Sequence, residues 1–234
     1  IRDKKLAYAS VHQAACAFRF LYRRVLGRPE AGFDLPMAKV PKRLPQILSR
    51  EEVARLIDSA RTLRARTLLM TTYAAGLRVS EVCALQVGDI ESAADRMCLK
   101  VCHGKGGKDR IIPIATQLID DIKQYLYSKE QYFLKNSKTA NIDTHVFVST
   151  SGKPMYAKQV YNIVHAMLEQ ISLKGKLSPH VLRHTFATHM LDNGADLNAI
   201  KEMLGHASLA STQVYTHNTI EKLKKIYKQA HPRA

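Results

Sequence analysis

The stretch "GRPEAGFDLPMAKVPKRLP", residues 27–45, limits what this chain can fold into more than any other. It holds Gly27, Gly32 and four prolines, Pro29, Pro36, Pro41 and Pro45. Proline lacks a backbone N–H and its ring clashes with the preceding helical turn, so a helix does not run through such a segment. Its composition is that of a linker. Ahead of it, residues 5–26 place Ala, Leu, Phe and Tyr at helical spacing. That helix stands alone and reads as the last piece of an earlier domain. The expected organisation is therefore residues 1–28 as that terminal helix, 29–45 as linker, and 46–234 as the main domain.

The main domain reads as mostly helical, and its 190 or so residues are ample for a core. Ser49 and Glu52 in "SREE" form a capping-box pattern that starts a helix. The next helix runs through "RTLLMTTYAAG" and stops at Gly76. A short helix is expected at "RVSEVCAL", a long one at 115–135, and others at 158–172 and 179–194. Shorter ones are expected at "DLNAIKEMLG" and "LASTQVYTH". The runs "RMCLKV" and "DRIIPI" are β-like and flank the glycine-rich "CHGKGGK", which predicts a hairpin; "THVFVST" reads as a further short strand. The last helix, residues 219–231, carries Ile220, Leu223, Tyr227 and Ala230 on one stripe that must be buried somewhere. The fold class is mainly α with a small antiparallel β-sheet.

Charge narrows the function. Lys and Arg total 36 against 20 acidic residues, a net +16. The excess is dispersed through the chain, which suits a folded basic face and a polyanionic partner, nucleic acid before an acidic membrane surface. No run approaches the length of a membrane span, and the N-terminus lacks an apolar signal core, so a soluble cytoplasmic protein is expected. Cys98, Cys102 and His103 lie close in sequence, but a second pair of zinc ligands is missing, so no metal is expected there. Cys98 and Cys102 read instead as small apolar side chains on one strand face.

Four stretches gather unusual polar residues. "AAGLRVSE" sets Arg78 at a helix junction; "HGKGGKDR" carries Lys105, Lys108 and Arg110; "SPHVLRHTFATH" spaces His180 and Arg183 three apart on one helical face; "LGHASLASTQVYTH" holds His206 nine residues ahead of Tyr215. Arginines offer planar donor forks for a phosphate. Histidines donate to phosphate oxygens or carry protons. A lysine on a turn can reach a leaving oxygen, and a phenol can attack phosphorus to form an ester. Together they could stabilise a five-coordinate phosphoryl state without a metal. Taken singly, each residue also has a structural explanation: a helix cap, a surface pair, a core tyrosine. "GKGGK" does not meet the spacing of a nucleotide-binding P-loop, since Asp109 follows Lys108.

These motifs resemble, in order and near-spacing, those of the tyrosine recombinase (phage integrase) family, most closely its Xer-type members. "GLRVSE", "GKGGKDR", "LSPHVLRHTFATHML", "LGHASLASTQVYTH" and the terminal "HPRA" carry the resemblance across residues 45–234. It implies the family's catalytic-domain fold and makes residues 1–28 the end of a DNA-clamping domain. It implies Tyr215 as nucleophile, Arg78 and Arg183 as the phosphate clamp, and His180 as the assistant to proton transfer. It implies Lys105 as general acid, His206 as a phosphate donor and Glu81 as a supporting acid. Lys108, Arg110, His184 and Thr185 are candidate DNA contacts. No cofactor and no metal are implied. The partners implied are double-stranded DNA and further subunits, in a synapse of four or with a paired recombinase. The final helix would then dock on a neighbouring subunit, with folding back on its own chain as the other option. The competing functions are a type IB topoisomerase-like nicking-closing enzyme and a catalytically silent DNA-binding relative.

Overall fold

In the computed structural model, helix α1 (Tyr8–Phe20) continues as a π-helical turn over Leu21–Val25. Phe18, Phe20, Leu21, Val25 and Leu26 of this segment are exposed. The structure describes residues 8–28, 46–93, 97–102, 109–136, 144–171, 177–205 and 217–232. The linker expected at 29–45 lies outside them. By its internal contacts the chain divides into two units, Ile1–Leu44 and Pro45–Ala234.

The larger unit opens on a capped helix. Ser49 caps α2 (Arg50–Asp58): its Oγ accepts from the Glu52 N–H at 3.2 Å, and its own N–H donates to Glu52 Oε2 at 2.7 Å. Then comes α3 (Leu63–Ala74), buried almost all round from Thr67 to Ala74. A helix apolar on every side belongs at the centre of a domain, and α3 is the helix around which others gather. The hydroxyls of Thr71 and Thr72 are satisfied inside it, donating to the Thr67 and Leu68 carbonyls at 2.7 and 2.6 Å. Around it stand α4 (Val79–Ala84), α5 (Thr116–Lys135), α6 (Ala157–Gln170) and α7 (His180–Asp192).

Beside the helices lies one antiparallel sheet of order β1 (Ile90–Glu91), β2 (Cys98–Val101), β3 (Arg110–Pro113). The expected hairpin is β2 with β3, in the register Leu99↔Ile112 and Val101↔Arg110. Alternation puts Leu99, Val101, Ile112 and Arg110 on the face that meets the core, with Lys100 on the other, ion-paired to Glu91. β1 was not foreseen, because two residues are too few to show a period. "THVFVST" is not a strand. It is held by the isolated bridges Gln86↔His145 and Val148↔Pro154, with Val146 N–H on Leu85 O at 2.8 Å. Cys98 is buried as expected, but Cys102 follows the end of β2, is exposed, and directs its thiol to Asp89 at 3.6 Å.

Two further helices complete the unit. α8 (Leu197–Leu204) starts on the Asp196 carboxylate, which accepts from the Asn198 and Ala199 N–H groups at 3.0 Å each. α9 (His217–Ala230) buries Leu223, Tyr227 and Ala230 against its own chain, over α7 and β3. The Tyr227 hydroxyl donates to Ala74 O at 3.2 Å, and its ring stacks on His231 at 4.7 Å between centroids. His231 in turn sits against Tyr73 and Phe186. In this single chain the apolar stripe lies against its own subunit, the folded-back arrangement of the two options. The short helix expected at "LASTQVYTH" lies outside the described residues.

Gly76 closes α3 in the left-handed region, φ +56°. A Cβ there would lie 2.6 Å from Phe186 Cδ1 and 2.9 Å from Leu204 Cδ2. Left-handed backbone and overpacking both penalise a side chain, so Gly76→Ala is expected to cost about 2–5 kcal/mol. Denaturant unfolding of the two proteins measures this, and a cost under about 1 kcal/mol would contradict the packing described.

Candidate active site

The turn at Gly76 delivers Arg78 to the N-cap of α4 with extended backbone, φ −74° and ψ 155°. Three residues on, Glu81 Oε2 accepts the Arg78 N–H at 2.8 Å. This is one half of a capping box, since an arginine has no acceptor with which to return the bond. The guanidinium turns back instead, and its Nη1 donates to Glu81 Oε1 at 2.7 Å.

Two more arginines reach the same carboxylate. Arg110 arrives from the core face of β3 and grips it bidentately, Nη1 to Oε1 at 2.9 Å and Nη2 to Oε2 at 2.8 Å. Arg183 arrives from the first turn of α7, with Nη1 3.8 Å from Glu81 Oε2. Its closer bonds run to Gly76 O and Leu204 O, both at 2.6 Å.

The end of α8 is the second anchor of the cluster. The last carbonyls of a helix lack intrahelical donors and carry the negative end of its dipole. Here each of three successive carbonyls receives a different arginine. Arg110 Nε donates to Met203 O at 2.6 Å, Arg183 Nη2 to Leu204 O at 2.6 Å, and Arg78 Nη2 to Gly205 O at 3.2 Å. Gly205 ends the helix in the left-handed region, φ +63°, and a Cβ on it would sit 3.1 Å from Arg110 Cδ. The next residue in the chain is His206.

Three guanidiniums around one carboxylate leave a surplus of positive charge. Burial pushes the Glu81 carboxyl up, but the bonds and charge of Arg110, then those of Arg78, outweigh it and hold the group at about 2. Burial, then the charges of Arg78 and Arg110, bring Arg183 down to about 10 against the pull of Glu81, so it stays charged at neutral pH. Side-chain exposure separates the three: 21% for Arg78, 8% for Arg183 and 3% for Arg110. Arg78 is the most open of the three to a ligand. An oxyanion arriving beside Arg78 and Arg183 would meet two charged donor groups whose positions are already set.

The remaining candidates divide clearly. His180 is the first residue of α7 and is exposed, one turn from Arg183. His184 is exposed too, its pKa lowered by burial and then by the charges of His180 and Arg183. Thr185 is not on the surface: it is fully buried, and its Oγ1 accepts the Leu48 N–H at 3.0 Å, tying the start of the unit to α7. Arg110, expected on DNA, is likewise sealed inside. The signal for it was the alternation in "RIIPI", which puts Arg110 on the face of Ile112 and Ile114, both buried. Lys105, Lys108, His206 and Tyr215 lie outside the described residues. Among the described residues, no group of three or more His, Cys, Asp or Glu is placed to hold a metal ion.

Glu81→Gln tests the electrostatics. A depressed carboxyl stabilises the fold above its unfolded pKa, near 4.5, and loses that contribution as pH falls towards 2. Removing one partner from a buried ion pair costs about 3–5 kcal/mol. The wild type is therefore expected to be more stable than Glu81→Gln at pH 6 by about that amount, with the gap closing between pH 4.5 and 2. Parallel stability curves over that range would show that the carboxylate is not held by these arginines.

Comparison with known proteins agrees with this architecture. Residues 46–222 match the phage integrase family. The chain is 38% identical over 224 residues to "Tyrosine recombinase XerC" of Pelotomaculum thermopropionicum, covering 93% of this chain and 72% of that protein. It is 36% identical over 243 residues to "Tyrosine recombinase XerD" of Halalkalibacterium halodurans, covering 100% and 79%. The crystal structure of XerA recombinase superposes with a TM-score of 0.61 at 30% identity, covering 99% of this chain and 80% of that one. The fold is also that of XerH bound to its difH substrate before cleavage, with a TM-score of 0.70 at 23% identity over 96% and 63% of the two chains. This chain therefore belongs to the phage integrase family, among its Xer-type tyrosine recombinases.

Proposed function

We propose that the chain is a site-specific DNA recombinase that cuts and rejoins strands through a 3′-phosphotyrosine. The observation that carries this reading is the cluster itself. Arg78 and Arg183 are fixed side by side by Glu81 and by the end of α8, one residue ahead of His206. That is a preformed receptor for a phosphodiester whose charge grows during attack.

The roles follow the resemblance. The Tyr215 oxygen attacks the scissile phosphorus, and its proton leaves with help from His180 at the exposed start of α7. Arg78, Arg183 and His206 hold the non-bridging oxygens. As the bond from phosphorus to the 5′ oxygen breaks, Lys105 supplies the proton that turns this oxygen into a hydroxyl. Rejoining reverses the steps: a 5′ hydroxyl attacks the phosphotyrosine and restores the tyrosine. One ester replaces another, so no nucleotide hydrolysis is needed. Lys108 and the exposed His184 are proposed DNA contacts, whereas Arg110 and Thr185 support the site from within. Strand exchange calls for more than one subunit, which we place in a synapse of four copies or with a paired recombinase. No helix among the described residues is long and apolar enough to cross a membrane; the cytoplasm is the proposed place of action because the proposed substrate is DNA.

The test uses a library of nicked duplexes with wild-type protein and with Tyr215→Phe. After denaturation in SDS, DNA still attached to protein is recovered and sequenced. Attached DNA is expected from the wild type alone, and its sequence identifies the cleavage site. Attachment that persists in Tyr215→Phe, or none from the wild type, contradicts the reading. With a net charge of +16, phosphate contacts should dominate affinity. Binding to the recovered duplex is expected to weaken by about 1,000-fold or more between 50 and 200 mM salt. A flat salt dependence would oppose a phosphate-led interface.

A further inference from the structure

Arg110 is a charged side chain with nowhere to go but inward. It is 3% exposed, and every bond described above runs to the interior: Nε to Met203 O, Nη1 and Nη2 to Glu81. Gly205 makes room for it, since any Cβ there would press on its Cδ and Nη1 at 3.1 and 3.2 Å. Stability alone does not require this. A buried ion pair can often be replaced by apolar residues of the same volume at no loss. What an arginine adds is geometry, because its planar fork fixes a carboxylate and a carbonyl from one rigid group, which a lysine cannot do.

The partners of that fork are the parts the proposed reaction depends on. Glu81 Oε1 is shared, taking Arg110 Nη1 at 2.9 Å and Arg78 Nη1 at 2.7 Å. A displaced Arg110 therefore moves the carboxylate, and the carboxylate moves Arg78. Met203 O lies in the last turn of α8, two carbonyls before the one that Arg78 itself contacts. Arg110 is also the first residue of β3, five positions after Lys105.

We infer that Arg110 is a positioning residue for strand cleavage: through Glu81 and Met203 O it sets the Arg78 guanidinium and the end of α8 at the scissile phosphate. This rests on the recombinase reading above. Arg110 itself touches neither DNA nor the reacting atoms. Its loss should leave binding intact and slow the chemical step, because a small misplacement of catalytic groups costs about 100-fold in rate.

The experiment compares the wild-type chain with Arg110→Lys and Arg110→Met, using the duplex recovered in the Tyr215 attachment assay. It reads thermal stability, duplex affinity, and the single-turnover rate of attachment at saturating protein. Both variants are expected to bind the duplex as the wild type does, and to form the adduct about 100-fold more slowly. Arg110→Lys keeps the charge and so keeps the fold testable if Arg110→Met does not fold. Glu81→Gln combined with Arg110→Met is expected to be no slower than the slower single variant, since both act through one carboxylate. A wild-type rate in Arg110→Lys would overturn the inference. So would a rate loss that merely follows lost affinity or folded fraction, multiplying losses in the double variant, or failure of both single variants to fold. A wild type that forms no adduct sinks the recombinase reading and takes this inference with it.

Discussion

The Glu81 carboxylate is the point on which the site hangs. It is almost wholly buried, and it is surrounded by Arg78, Arg110 and Arg183, which come from three separate elements. Without it, three guanidiniums would face one another across a few ångströms in a medium that screens poorly. Without the arginines, the carboxylate would be an unpaired buried charge, which costs several kcal/mol, of order 3–5 when a partner is removed. Neither half is tolerable alone, so α4, β3 and α7 are bound to one arrangement. The carbonyls at the end of α8 complete it by taking the donors that Glu81 cannot.

The fold serves this arrangement. α3 is buried on nearly every side, so the Gly76 turn at its end cannot shift without disturbing Phe186 and Leu204. That turn fixes the start of α4, and with it Arg78 and Glu81. The sheet, small as it is, has one clear task, which is to bring Arg110 in from the side on its core face. Thr185 and Leu48 tie the entry of the unit to α7 and steady the helix that carries His180 and Arg183. Residues that looked like candidates for DNA contact thus divide by burial. Among the described ones His184 faces solvent, whereas Arg110 and Thr185 face inward, bonded to Glu81 and Leu48.

Much of this was legible in the sequence where a local rule governs. The capping box at Ser49, the end of α3 at Gly76, the hairpin of β2 and β3, and the long helix α5 all follow from spacing and turn chemistry. The motifs around Arg78, Glu81, His180 and Arg183 were readable as a set because a resemblance links them across more than a hundred residues. What escaped depends on partners far away in the chain. Thr185 looks polar and available until Leu48, 137 residues earlier, is placed against it. "THVFVST" has strand composition, but its neighbours offer isolated bridges rather than a ladder. Cys102 lies just past the strand end, where alternation no longer applies. Arg110 is the instructive case: a basic residue beside a basic turn invites a surface reading, although the period of two in "RIIPI" already put it with the core.

α9 follows the proposed nucleophile in the chain and is held by its own contacts. Gly205, at the end of α8, is fixed by arginines, and α9 is fixed by Leu223, Tyr227 and the stacked His231. Residues 206–216, which include His206 and Tyr215, join these two anchors. Each large apolar side chain on α9 contributes roughly 1.5–3 kcal/mol by burial. Lifting the helix from its seat therefore opposes several such terms at once. The bonds described for Arg78, Arg183 and Glu81 run among α4, β3, α7, the Gly76 turn and the end of α8, so the proposed phosphate receptor is assembled without α9. In the proposed reading, a receptor already set by these bonds would let a phosphodiester be bound and aligned before it is attacked.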